Sequence, residues 1–226
     1  MAARATPLAT LTIFPMLGGA FPLHAWKHLD LSVNNPTIAN RSIHDTAGFE
    51  QVILDMKKES HALVGWGGYL EHRGWYQRAE HFGNAEEART IHLGIDLWVA
   101  GNTPLYAPLD GKIHSIKDNA LYGDYGPTII LEHTIDGSTF HSLYGHLTKE
   151  SLDNKQPGDI ISQGTQFAAI GTPPTNGDWP PHLHLQIIHD MEGMQGDYPG
   201  VCSKSKLSWY KENCPDPSLL LFPKGQ

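Results

Sequence analysis

Residues 128–147 read TIILEHTIDGSTFHSLYGHL, two β-rich runs around a central Asp-Gly pair. Ile, Thr, Phe and Tyr favour a pleated, half-buried surface, and Asp136-Gly137 supplies the positive φ that a two-residue hairpin turn needs. The segment therefore predicts an antiparallel hairpin, Thr128–Ile135 against Thr139–Leu147. The same texture extends in both directions. Thr103–Leu109 and Lys112–Lys117 flank Asp110-Gly111 and predict a second hairpin. Asp159–Ser162 and Gln166–Gly171 flank Gly164 and predict a third turn, and His182–His189 reads as a last strand. The fold class expected is mainly β, an antiparallel sheet or sandwich over residues 89–190.

The flanks read differently. Residues 1–88 form an N-terminal extension with one clear helix at about 45–60. Asp45 or Thr46 can cap it, and Phe49, Val52, Ile53 and Met56 recur at helical spacing. Ala62–Leu70, interrupted by Gly65, Gly67 and Gly68, reads as a loop or a twisted edge strand. Residues 191–226, rich in Gly, Pro and Ser, are expected to be an irregular tail packed on the core.

Composition agrees with short strands and many turns: Gly and Pro total 39 of 226 residues, and 40 % of the chain is apolar. The net charge of −8 argues against nucleic acid or an anionic membrane as a partner. No stretch is long and apolar enough for a membrane span. Met1–Leu17 lacks the apolar run of a secretory signal, so the cytoplasm is the default compartment, with export by another route as the alternative. In a reducing compartment Cys202 and Cys214 read as free thiols, and a single disulfide between them is the alternative after export. The unusual count is 14 histidines, some of which are expected to bind metal or move protons.

Two clusters carry the chemistry. On a strand, His92, Gly94 and Asp96 share one face while Leu93, Ile95 and Leu97 share the other. A flat strand would separate the His92 and Asp96 Cα atoms by about 13 Å, so sharing one ion requires a bend, which Gly94 permits. His182 and His184 project from one face with Cα atoms about 6.5 Å apart, which suits one ligand and one neighbour acting on a metal-bound water. Two His and one Asp make a three-ligand zinc site with a fourth position open, and further histidines can then act as base and charge stabiliser. Taken singly, each cluster is more ordinary: two surface histidines, or a His and an Asp with no shared ion.

His92-Leu-Gly-Ile-Asp96, Thr103-Pro-Leu-Tyr-Ala-Pro-Leu-Asp-Gly111, Tyr144-Gly-His-Leu147, Pro157-Gly-Asp159 and Pro181-His-Leu-His-Leu185 occur in one order. Over about His92–Ile188 the chain resembles the M23 family of zinc peptidases, the lysostaphin/LytM-type endopeptidases. The resemblance implies a small antiparallel β fold, one zinc per chain held by His92, Asp96 and His184, and His146 and His182 as the catalytic pair. It implies hydrolysis of a peptide bond in peptidoglycan-type peptides. Pro180 and Gln186 depart from the family's usual Gly and Glu, and the Thr172–Trp179 loop is unlike its usual counterpart. Gly67–Arg73 and Cys214–Pro217 also resemble the M23-type segment fused between kinase-like and aminotransferase domains in larger proteins. That second likeness suggests an alternative, an intracellular hydrolase or binder of a small amide or amino-acid-like metabolite. A non-hydrolytic zinc-binding regulatory module is a further alternative.

Other residues read mainly as structural: His133 and His141 on strands, Asp190–Glu192 as a solvated turn, and Trp98 as core. Arg73, Tyr76 and Arg89 are candidates to line the groove, where an arginine can grip a carboxylate, though surface ion pairing is the more ordinary role for these arginines. Trp66, Trp75 and Trp179 are candidate aromatic walls. The expected partner is a peptide or small amide substrate, and the oligomeric state is left open.

Overall fold

The computed structural model describes residues 11–39, 45–74 and 88–222. Trp75 and Tyr76 lie outside them. In chain order the elements are β1 (Trp26–His28), α1 (Pro36–Ala39), α2 (Thr46–Glu59), β2 (Val64–Gly67), β3 (Ile91–His92), β4 (Ile95–Trp98) and β5 (Pro104–Tyr106). They continue with β6 (Gly111–Asn119), β7 (Gly126–Ile135), β8 (Ser138–Gly145), β9 (Ile160–Ile161), β10 (Gln166–Ala169), β11 (Leu183–Ile188), β12 (Val201–Cys202) and α3 (Leu207–Asn213). An eight-stranded sheet runs β1-β2-β4-β11-β8-β7-β6-β9, and two small sheets pair β10 with β5 and β12 with β3. The protein is mainly β, as its texture predicts.

The hairpin of 128–147 forms: Ile135 pairs with Ser138, and Asp136 and Gly137 adopt φ of 49° and 76°. The Asp110-Gly111 turn does not make a hairpin, which corrects the reading of that pair, while Gly164 does turn the chain, with φ of 77°. β5 turns away from β6 and pairs with β10, while β9 pairs with the start of β6. In both places strands whose paired residues lie 48 to 65 positions apart in sequence take the pairing that local turn chemistry leaves open. A turn residue sets a local backbone conformation, and burial of the apolar faces then decides which strands meet.

Residues 64–67 are an interior strand rather than an edge. β2 pairs antiparallel with β4 and parallel with β1, so the sheet crosses the expected boundary at residues 88–89. The tail is also more ordered than its composition suggests: β12 and α3 are regular elements, and Val201, Cys202, Cys214, Leu220 and Leu221 are buried. Apolar side chains placed between Gly and Pro positions anchor it to the body of the fold.

The helix forms where its periodicity predicts. Asp45 accepts a hydrogen bond from Gly48 N at 2.7 Å, capping α2. Phe49, Val52 and Ile53 are buried, and the Phe49 ring meets Trp98 edge-on at 5.4 Å between centroids. At the other end Lys57 Nζ donates to Trp98 O at 3.0 Å. α2 therefore braces β4 from behind. Replacing Phe49 by Ala empties a fully buried ring site and is expected to cost about 3–5 kcal/mol, read by chemical denaturation.

Candidate metal centre

Cross-strand register builds the site. Asp96 on β4 pairs with His184 on β11, and His184 pairs in turn with Gly145 on β8. The flanking Ile95, Leu97, Leu183, Leu185 and Tyr144 enter the main core on the opposite face. Alternation thus puts a carboxylate and an imidazole side by side on one face of the sheet. His92 arrives from a different sheet. The strand is interrupted at Leu93-Gly94 between β3 and β4, the bend that sharing an ion requires. A Cβ at Gly94 would lie 2.6 Å from both the His184 ring and Leu185 O, so only glycine lets this turn pass so close to the ligand.

His92, Asp96 and His184 are all buried, and one ligand atom from each forms a single cluster. His92 Nε2 lies 2.9 Å from His184 Nδ1, and Asp96 Oδ1 lies 3.3 Å from each nitrogen. The outer hydrogen bonds fix the tautomers. His92 Nδ1–H donates to Gly68 O at 3.1 Å, and His184 Nε2–H donates to Gln186 Oε1 at 3.0 Å. Both facing nitrogens therefore carry lone pairs, and Asp96 Oδ1 has no hydrogen-bond donor among the described residues. Three acceptors converge with no proton between them. Tetrahedral ligands about 2.0–2.1 Å from an ion stand about 3.3 Å apart, so the donor set fits a small divalent cation.

Charge states agree with that fit. Burial lowers the pKa of His92 to about 3, assisted by the Arg73 charge. Burial opposes ionisation of Asp96, yet the neighbouring His92 and Arg73 hold its carboxyl well below the usual range. The lowered values favour an anionic Asp96 and a neutral His92, the forms that bind metal.

His182 and His146 border the same centre. His182 Nδ1–H donates to Pro180 O at 2.7 Å and His146 Nδ1–H to Asn176 O at 2.8 Å, leaving both Nε2 atoms as acceptors. Their ring centroids are 4.2 Å apart. His146 leaves strand alternation through a φ of 61°, immediately after β8 ends. Burial lowers the pKa of His182 to about 4, and burial with the neighbouring His182 and His184 holds His146 well below the ordinary range. Trp98 stacks on His182 at 4.1 Å. Trp98 is therefore both core and support for the site.

The five residues line one cavity of about 290 Å³, walled further by Arg89, Tyr125, Trp179 and Tyr198. Arg89 and Trp179 take the wall positions that their residue types suggest. Arg73 does not. It is fully buried behind Asp96, donating from Nη1 to Asp96 Oδ2 at 2.6 Å and from Nε to Glu71 at 2.5 Å. Trp66 is packed against the core with Phe222. His133 is structural, bridging Asp110 O and Ser142 Oγ at 2.7 and 2.6 Å. His141 packs on His114 and faces Glu132 across the strands.

The sequence of residues 90–196 matches the description of peptidase family M23. That match covers a little under half of the chain. An uncharacterized metalloprotease of Haemophilus influenzae is 30 % identical over 96 residues, 42 % of this chain and 18 % of that protein. A zinc-containing peptidase from Vibrio cholerae is 25 % identical over 43 % of this chain and 27 % of its own, with a TM-score of 0.35. The catalytic domain of the antimicrobial peptidase lysostaphin from Staphylococcus simulans is 22 % identical over 62 % of this chain and 99 % of its own, with a TM-score of 0.37. The chain spans less than a fifth of the Haemophilus relative.

Two outcomes are expected from this geometry. Alanine at His92, Asp96 or His184 lowers bound metal, measured by elemental analysis of purified protein. Gly94→Ala drives a methyl into the His184 ring and Leu185 O, so it lowers bound metal without removing a ligand. Such overpacking costs about 1–3 kcal/mol in thermal or denaturant unfolding.

Proposed function

We propose that the chain is a zinc-dependent hydrolase that cleaves a peptide bond, with His92, Asp96 and His184 as ligands and His146 and His182 as the catalytic pair. The observation that carries this reading is the meeting of three buried lone pairs with two neutral imidazole acceptors in one cavity. Zinc bound there would polarise the substrate carbonyl and bring the pKa of a coordinated water to about 7.

The two histidines divide the proton work. His182 takes the proton of the attacking water at Nε2. That nitrogen is 3.9 Å from Asp96 Oδ1, and the Trp98 ring lies stacked beneath the imidazole. A carboxylate and an aromatic face both favour the cation formed there. The Pro180 carbonyl holds Nδ1–H throughout, so the same Nε2 can return the proton to the leaving amine. His146, held by Asn176 O, supports the developing oxyanion when it carries a proton.

The substrate class we infer is the peptide of peptidoglycan, taken as short or chain-terminal pieces. The match to peptidase family M23 supports the peptide, and the cavity volume, near the lower end of the roughly 300–1,000 Å³ typical of ligand pockets, supports the small size. Arg89 in the wall is placed to meet a substrate carboxylate.

His182→Ala and His146→Ala test the assignment. Each is expected to retain its zinc while turnover of a short stem-type peptide falls about 10²–10⁴-fold. Loss of zinc from His182→Ala would contradict its role as a non-ligand. Rapid digestion of intact sacculi by the wild-type protein, with short peptides left uncut, would contradict the substrate reading.

A further inference from the structure

Every ligand of the centre is backed by residues outside 90–196 or by contacts that reach them. Gly68 O takes the outer proton of His92. Gln186, fully buried, presents its oxygen to His184 because its amide nitrogen donates to Pro199 O at 3.1 Å and to Cys214 Sγ at 3.3 Å. Behind Asp96 stands Arg73, in a segment with no counterpart in the family match.

We propose that Arg73 is a positioning residue of the metal centre, holding Asp96 so that it offers one oxygen, Oδ1, to the ion. This rests on reading the site as a zinc centre. The geometry assigns the role. Arg73 Nη1 occupies Asp96 Oδ2 at 2.6 Å, which leaves Oδ1 as the oxygen facing His92 and His184. Arg73 is itself fixed from behind, since its Nε donates to Glu71 Oε2 at 2.5 Å. Glu71 Oε1 in turn accepts Leu31 N at 2.9 Å. The chain from backbone to metal ligand is therefore Leu31, Glu71, Arg73, Asp96. A Cβ at Gly68 would lie inside the guanidinium's space, so the turn before Arg73 is shaped around it.

A guanidinium beside a cation site would ordinarily repel the ion. Here Glu71 balances its charge, so the pair supplies direction to Asp96 with little net repulsion. A planar fork also suits this bridging better than an ammonium, because separate nitrogens reach the two carboxylates at once. Without Arg73 the buried Asp96 carboxylate loses the partner of Oδ2, and it can turn, take a proton or present both oxygens. Outer partners of metal ligands are worth about 10–100-fold in metal affinity.

The test uses the full chain and zinc alone as the probe. Zinc affinity is measured by competition with a chromophoric chelator, and the melting temperature of the metal-free form is measured alongside. Arg73→Met is expected to weaken zinc binding about 10–100-fold, and Arg73→Lys to fall between it and wild type. A structural role alone would lower the metal-free melting temperature and leave the affinity of the folded protein unchanged. Should Arg73→Met fail to fold, Arg73→Lys decides. Zinc affinity equal to or tighter than wild type in the folded variant overturns the proposal. Wild-type protein that binds no zinc overturns the metal-centre reading itself, so the two failures are distinct.

Discussion

Asp96 Oδ1 is buried within 3.3 Å of two imidazole lone pairs, and the surrounding structure is arranged to make that tolerable. A buried carboxylate without compensation costs several kcal/mol and would ordinarily take a proton. Here Arg73 binds its other oxygen, and the His92 and His184 rings face the first. The remaining deficit is a cation's place. The constraint reaches outward from there: Gly94 lacks a side chain because His184 passes through its space, and β4 must sit in register with β11 to bring the pair together.

That register is also where the fold and the chemistry share one cause. Period-two alternation sends Ile95, Leu97, Leu183 and Leu185 into the core and their polar neighbours to the site. Each fully buried aliphatic side chain contributes about 1.5–3 kcal/mol, and slipping the register by one would expose that set and bury the ligands on the wrong face. Trp98 extends the link to α2, since it meets Phe49 in the core and His182 at the cavity. The helix stabilises the fold through that ring and supports a proposed catalytic group through the same contact.

The parts legible in the sequence were those with a local cause. Asp136-Gly137 makes its hairpin because φ there must be positive and the flanking strands are contiguous. Asp45 caps α2 because the helix pattern begins beside it. The bend at Gly94 follows from asking how His92 and Asp96 could share an ion. What depends on distant pairing was not legible. β5 with β10, β2 inside the sheet and β12 beside β3 are decided by tertiary burial, and nothing in Asp110-Gly111 or Gly164 records it. The position of His146 rests on a left-handed residue after β8, which strand alternation misplaces. Arg73 read as a surface ion-pairing or groove-lining residue, and neither reading anticipated its burial behind Asp96. The one local trace of that role is Glu71 two residues earlier, the acid to which its Nε donates in the structure.

The central claim is that three buried side chains form a ready-made site for one zinc ion. X-ray absorption at the zinc edge, on full-length protein purified without chelator, tests it directly. The account predicts one zinc per chain, four ligands, only nitrogen and oxygen in the coordination shell, and imidazole scattering from two histidines. Metal-free protein that takes up no zinc, or a shell containing sulfur from Cys202 or Cys214, would contradict it.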